Sequence, residues 1–391
     1  MKRLASMMTG RHGRSLHGGA AALLATTMLL GLAFCAGCGS DEADVTFPNQ
    51  PEPPSMRWLF DVFGTAADNV TVAGNDGVAF GWDGAAWTPV DLNTDKAITC
   101  IWGPGDGTLY LCGHGGLIMR NTGGGWSTMS SGTTSDLFGL GSFQGQVHAV
   151  GLAGTVRRLS GGAWQEVPSV AVIRNAQAGF AATDTLDLRA DIASLLTVNH
   201  YCLGGAYRLP GWRDTDIGRT NTDGMVLSPD APPPGQPGFD WELRPRRGDQ
   251  LAPVEWVYCT TSDDVTLANN YMGTSEGWLF QLLEDENNPG RLVWDKYNTR
   301  ITADRNTGIR DMWLAANGDL YMVTDGGRIV YRSVAGETRE LYNQLNSLVS
   351  IWGASPAEFW VTGYMDQTIL RCSYDPVGDV FTSTPVTMVF P

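Results

Sequence analysis

Cysteine and histidine are the residues of this chain best suited to chemistry, and both are sparse, with seven and five copies in 391 residues. Cys100 and Cys112 flank a turn at Asp106 at equal distances, so a simple hairpin register sets them opposite one another. A cross-strand disulfide is then within geometric reach, with two buried free thiols as the other outcome. Cys202 and Cys259 fall in neighbouring units, where free thiols are the simpler expectation. The sole C-x-x-C, Cys35–Cys38, lies in the N-terminal apolar region and offers no zinc or redox site. Asp214-x-Asp216-x-Gly218 has the start of a calcium loop but lacks its third Asp and downstream Glu, which reads as a solvated loop. His114, His148 and His200 do not share a repeat position, so turn hydrogen bonding is their default role. No zinc-protease H-E-x-x-H and no Walker loop occurs. The sequence therefore assigns no catalytic residue, no metal ligand and no cofactor.

What must position any site is a repeated strand unit. Ile351–Gly363 reads IWGASPAEFWVTG: an aromatic-Gly pair, a polar turn, then an alternating apolar strand closed by Gly. Ile98–Gly113 and Asp61–Gly74 repeat it, and Phe63-Gly64, Trp102-Gly103 and Phe138-Gly139 are read as successive openings. Gly74, Gly113 and Gly151 close second strands, and Trp87, Trp126 and Trp164 open last strands, each series at spacings of 39 and 38. A period near forty belongs to propellers and solenoids. Each unit reads as four antiparallel strands, in the second unit Ile98–Trp102, Thr108–Cys112, Leu117–Arg120 and Trp126–Met129. Both faces of these strands are apolar because neighbouring units cover both. The expected fold is all-β, a seven-bladed β-propeller, or six-bladed if the middle of the chain forms only a lid; closing the circle hides sheet edges. Closure by strand donation between the termini is expected, using Val386–Phe390 with Val45–Phe47 or Met56–Phe60. The middle is less regular. Asp184–Leu196 reads as a short helix or loop, and 210–250 as an irregular insertion ending in a strand near Trp241–Leu243.

The N-terminus reads as a targeting segment. Residues 1–17 are basic and polar, and Ala20–Phe34 is an apolar run too short for the roughly 20 residues of a membrane-spanning helix. Ala36-Gly37 before Cys38 resembles the lipobox of bacterial lipoproteins, which implies cleavage after residue 37 and acylation of Cys38, an anchor that several chains make stable. Ser40 resembles outer-membrane sorting. Residues 38–55, with Pro48, Pro51, Pro53 and Pro54, read as an extended tether, leaving 56–391 for the propeller. Removing the four basic groups of 1–37 leaves 22 basic against 41 acidic residues, a formal −19. Such a surface repels phosphate backbones, so nucleic acid is excluded as a partner.

The unit pattern is similar to repeats of bacterial BNR/Asp-box-like propellers and resembles the propeller of photosystem II assembly and stability factors, over most of 58–169 and 254–372. Asp-box turns carry Ser-x-Asp-x-Gly-x-Thr-Trp; the turns before Trp87, Trp126 and Trp164 keep Gly and Trp and lose the Asp spacing. The resemblance implies fold and carries over no functional residue. The expected function is a lipid-anchored outer-membrane or surface scaffold that binds a protein or glycan partner without catalysis. The alternative is a carbohydrate-active propeller enzyme, a glycoside hydrolase or lyase.

Overall fold

A computed structural model of the chain describes residues 58–143, 145–152, 154–167, 170–172, 185–187, 192–198, 203–208, 222–229, 241–243, 246–247, 257–259, 271–274, 277–284, 292–296, 308–343, 347–363 and 368–388. All of these lie in the compact unit Met56–Pro391. They are overwhelmingly strand, arranged as four-stranded antiparallel meanders.

The first sheet comprises Leu59–Ala66, Asn69–Gly74, Ala79–Trp82 and Trp87–Pro89, hydrogen-bonded in chain order. The second comprises Ile98–Trp102, Leu109–Gly113, Ile118–Asn121 and Trp126–Met129, within a residue of the spacing argument. The third runs from Leu137–Phe143 through Gln146–Gly151 and Val156–Ser160 to Ala163–Glu166. A two-stranded sheet, Val170–Val172 with Thr185–Asp187, follows.

The irregular middle also forms sheet. Ile192–Val198, Leu203–Arg208, Thr222–Pro229 and Trp241–Leu243 make a fourth four-stranded meander. The helix or loop expected over Asp184–Leu196 is thus replaced by two strand segments, because pairing across the hairpin outweighs the weak local pattern. Within 210–250, residues 222–229 and 241–243 are that sheet's third and fourth strands. The fifth sheet, Val257–Cys259, Tyr271–Thr274, Leu279–Glu284 and Leu292–Lys296, gains a parallel edge strand from Arg246–Arg247. The sixth comprises Ile309–Leu314, Leu320–Thr324, Arg328–Arg332 and Thr338–Asn343; the seventh, Leu348–Ser355, Glu358–Gly363, Thr368–Asp375 and Val380–Thr387.

The opening strand of each of these seven sheets lies against that of the next, and Leu348–Ser355 lies against Leu59–Ala66. The core is therefore a series of layers between sheets. Ala73, Ile98, Ile101 and Leu111 fill the junction of the first and second; Trp102, Tyr110, Leu137 and Trp164 fill that of the second and third. Tyr321, Val323, Ile351 and Phe359 join the sixth to the seventh.

The aromatic-Gly pair now has a physical reason. A Cβ on Gly64 would stand 2.5 Å from the ring of Trp352, and one on Gly353 would stand 2.6 Å from that of Trp313. The glycine of one sheet is the space into which the preceding sheet's aromatic ring fits. The third unit departs from the expected phase. Leu137 pairs with Gly151 and Gly139 with Val150, so Gly139 occupies the place of Asp61 and Cys100, not that of Gly103. The strand LFGLGSF contains an aromatic-Gly dipeptide at the wrong step of the repeat.

Of the strands expected to be exchanged at closure, Val45–Phe47 and residues 389–390 lie outside the described residues. The first and seventh sheets are each built from sequence-adjacent strands, with Leu59–Ala66 and Val380–Thr387 staying in their own sheets. They meet by packing. Trp360, with no exposed surface, has ring centroids 5.1 Å from Trp82 and 5.2 Å from Trp87. Arg371 lies over Trp82 and Trp360, 5.4 and 5.5 Å from their centroids, and pairs with Glu358 at 2.5 Å. Three aromatics and a stacked guanidinium join the two sheets.

Candidate functional site

A groove of about 880 Å³ opens at the junction of the second and third sheets. Its floor is Leu117, Met129, Val156 and Val167. Its walls are the turn at Gly115-Gly116, the connection Ser130–Ser135 and the turn around Gly154-Thr155. Short side chains dominate because the turns need them: Gly116 and Gly132 have φ of +70° and +69°, a region that costs a side-chain-bearing residue dearly. The loop is fastened from both sides. Arg157 donates to the Gly132 carbonyl at 2.5 Å and lies 3.7 Å from Glu166, and Ser131 donates to the Thr133 carbonyl at 3.1 Å. Lys96 donates from Nζ to the Gly115 carbonyl at 3.1 Å, and Asp136 accepts the Gly115 N–H at 2.8 Å. The result is an ordered, hydroxyl-rich trough with fixed carbonyls, one exposed lysine and an arginine–glutamate pair. Such a surface recognises polar main chain or hydroxyls by hydrogen bonds; among the described residues no aromatic ring lines it to stack a sugar.

A second constellation lies on the opening strands. Asp61, Cys100, Gly139, Asp311 and Ser350 occupy one step of successive registers. Side chains here reach round to the next sheet. Asp61 Oδ2 accepts the N–H of Ile101 at 2.6 Å; Asp311 Oδ2 accepts that of Ile351 at 2.9 Å; Ser350 Oγ accepts that of Val62 at 3.4 Å. The Ser350 hydroxyl also sits 2.6 Å from Asp61 Oδ1 and 2.7 Å from Asp311 Oδ2. Ser350 is buried, while the two carboxyls keep some surface open within a densely walled site. Burial pushes Asp61 from 3.8 up to about 7, with the negative charge of Asp311 adding to it. Burial likewise raises Asp311 to about 6. Sequence reasoning passed over these residues. The available signal was a polar residue recurring 39 positions apart inside apolar strands, at 61 and 100 and again at 311 and 350.

The residues singled out from sequence are scattered. Cys100 and Cys112 are direct partners across the hairpin, as the spacing argument placed them, and both are thiols. The hydrogen bond with Cys112, then burial, holds the Cys100 thiol well above its ordinary range. Cys259 lies on the opening strand of the fifth sheet. Cys38, Cys202, Asp214, Asp216 and His200 lie outside the described residues. His148 is buried on the third sheet with Nδ1 2.8 Å from the Gln146 carbonyl, and burial lowers it to about 4. His114 belongs to the turn beside the groove, its backbone N–H bonded to the Ala97 carbonyl. The two imidazoles stay in separate sheets, and among the described residues no group of three His, Cys, Asp or Glu is placed to hold a metal ion. One nucleophile-elbow spacing, Gly273-Thr274-Ser275-Glu276-Gly277, does occur. Its Gly273 and Thr274 end the second strand of the fifth sheet, and Ser275 and Glu276 lie outside the described residues.

The arrangement of meandering sheets around facing opening strands has solved counterparts. YCF48 from Cyanidioschyzon merolae superposes with a TM-score of 0.52 at 14% identity, covering 80% of this chain and 94% of that one. This chain is built as a β-propeller. A structure of YCF48 bound to D1 peptide gives a TM-score of 0.49 at 12% identity, with 82% and 95% covered. Among curated proteins, the immune protein Tsi7 of Pseudomonas aeruginosa is 31% identical over 86 residues, which is 22% of this chain and 28% of that protein. The chain thus spans little more than a quarter of that relative. No family model matches the sequence.

Proposed function

We propose that this chain is a seven-bladed β-propeller acting as a non-enzymatic scaffold, anchored to an outer membrane through lipid on Cys38, and that its partner is a protein held in the groove between the second and third sheets. The blade count is supported by seven meanders whose opening strands are neighbours in order, the last beside the first. The anchor is supported by Ala36-Gly37-Cys38 after an apolar run, and the outer-membrane destination by Ser40. In that oxidising compartment Cys100 and Cys112, already in register, would close a disulfide.

The observation that carries the scaffold reading is the contrast between the two constellations. The inner carboxyls are committed to main-chain N–H groups of neighbouring sheets, while in the groove Thr128, Ser130 and Thr134 are exposed. The test is a photo-crosslinker at exposed Thr134, with one at exposed Val377 as control, in cells making the full chain. A reproducible protein adduct at Thr134 that is missing at Val377 supports the reading. Adducts at neither position, together with turnover of a glycan by the purified chain, would replace it with the carbohydrate-active alternative.

A further inference from the structure

The hydrogens around Ser350 do not add up if both neighbouring carboxyls are ionised. One hydroxyl carries one hydrogen and two lone pairs. Here it lies 2.6 Å from Asp61 Oδ1 and 2.7 Å from Asp311 Oδ2, while the Val62 N–H donates to Asp61 Oδ1 at 2.9 Å and lies 3.4 Å from the hydroxyl. The hydroxyl can donate to one carboxylate. The other short oxygen–oxygen contact requires a hydrogen of its own, which only a carboxylic acid supplies. The three residues come from three sheets, the first, the sixth and the seventh, so the contact spans the point where the end of the chain meets its beginning.

We propose that Asp61 and Asp311 share one proton through Ser350, and that this proton is a clasp across the closing junction, tight when present and loosened when it leaves.

The surroundings leave the proton no substitute. Asp61 faces Asp311 and Ser350 on one side and Cys100 with the Ile101 N–H on the other. Asp311 faces Ser350 and the N–H groups of Ile351 and Met312. Arg310, the adjacent residue in the chain, pairs with Asp325. Among the described residues neither carboxyl has an ion-pair partner; the N–H groups of Ile101, Val62, Ile351 and Met312 favour the ionised forms, but burial outweighs them at both carboxyls, with repulsion from Asp311 adding to it at Asp61. The proton belongs to the pair, since either carboxyl can hold it with Ser350 turning to donate to the other.

The direction of the pH dependence follows. In the unfolded chain both carboxyls ionise near 3.8; in the fold the pair keeps a proton up to about 6 to 7. Between those values the folded state binds more protons than the unfolded state. The clasp's contribution is therefore complete at or below pH 3.8 and is lost as pH rises towards about 7. One proton makes the unfolding constant change about tenfold per pH unit across that window.

The experiment is denaturant unfolding of the full chain across that range, comparing the unsubstituted protein with Asp61→Asn and Asp311→Asn. An amide supplies the missing hydrogen without titrating. The ratio of unfolding constants, unsubstituted over Asp61→Asn, should climb about tenfold per pH unit and level off near neutrality. Parallel profiles for the unsubstituted protein and whichever variant folds would overturn the proposal. Infrared difference spectra read the proton directly: at about pH 6 the folded unsubstituted protein should show a carboxylic-acid C=O stretch that is missing from whichever variant folds and that vanishes above about pH 8. Identical spectra for the unsubstituted protein and that variant at about pH 6 would overturn it equally.

Discussion

The junction between the seventh and first sheets and the junction between the second and third begin from the same strand type in the same register, yet they are filled in opposite ways. At the first, Trp82, Trp87 and Trp360 meet within 5.6 Å of one another, Arg371 covers two of the rings, and Ser350 links two carboxyls. At the second, Trp102, Tyr110 and Trp164 pack near the strands, but the loop side is left as a groove walled by hydroxyls and glycine turns. The difference follows from connectivity. Successive sheets are tied by the chain itself, so their junctions can leave open space; at the closing junction the described residues exchange no strand, and side chains supply the cohesion between them.

That contrast is broken most directly at Trp360. Trp360→Ala should cost about 3–5 kcal/mol, the usual loss for a large buried aromatic, measured as the shift in denaturant-unfolding free energy. Trp164→Ala, at the second–third junction where the Tyr110 ring lies 6.4 Å away, should cost less. Equal losses would mean that the closing junction is not specially reinforced.

Glycine gives a finer probe. Gly64→Ala pushes a methyl to 2.5 Å from the Trp352 ring and should cost about 1–3 kcal/mol through overpacking. Gly124→Ala, where nothing lies within 4 Å, should be close to neutral by the same assay. At the groove, Arg157→Ala removes the donor to the Gly132 carbonyl and the partner of Glu166, for an expected loss of about 1–2 kcal/mol. Faster amide exchange confined to Gly132–Ser135 would identify the loop as what that arginine holds.

Much of this architecture is legible in the residues. The Gly and Trp spacings of 39 and 38 place the second and last strands of the first three sheets, and equal distances from Asp106 place Cys100 opposite Cys112. The limits are physical too. The third unit's aromatic-Gly dipeptide is three steps out of phase, and only pairing of Leu137 with Gly151 reveals it. Local pattern is weak over Asp184–Leu196, where long-range pairing decides the outcome. Asp61, Asp311 and Ser350 look like ordinary polar strand residues until sheets far apart in sequence are brought together. The groove is harder still: Ser130–Ser135 reads as a generic polar loop, and its concavity depends on turns of two different sheets.

The smallest expected stability effect separates cohesion from recognition. Thr134 and Lys96 are exposed at the groove, and neither fills a core layer. Thr134→Arg and Lys96→Ala should each leave the unfolding free energy within about 0.5 kcal/mol of the parent, as surface changes do. Thr134→Arg should nevertheless abolish a protein adduct formed from a crosslinker placed on exposed Ser130, because a long cation blocks the trough. If the adduct survives, the open junction is a by-product of glycine-rich turns. If it is lost at unchanged stability, the space left at this junction serves binding, and the cohesion of the ring resides elsewhere, at the seam where the last sheet meets the first.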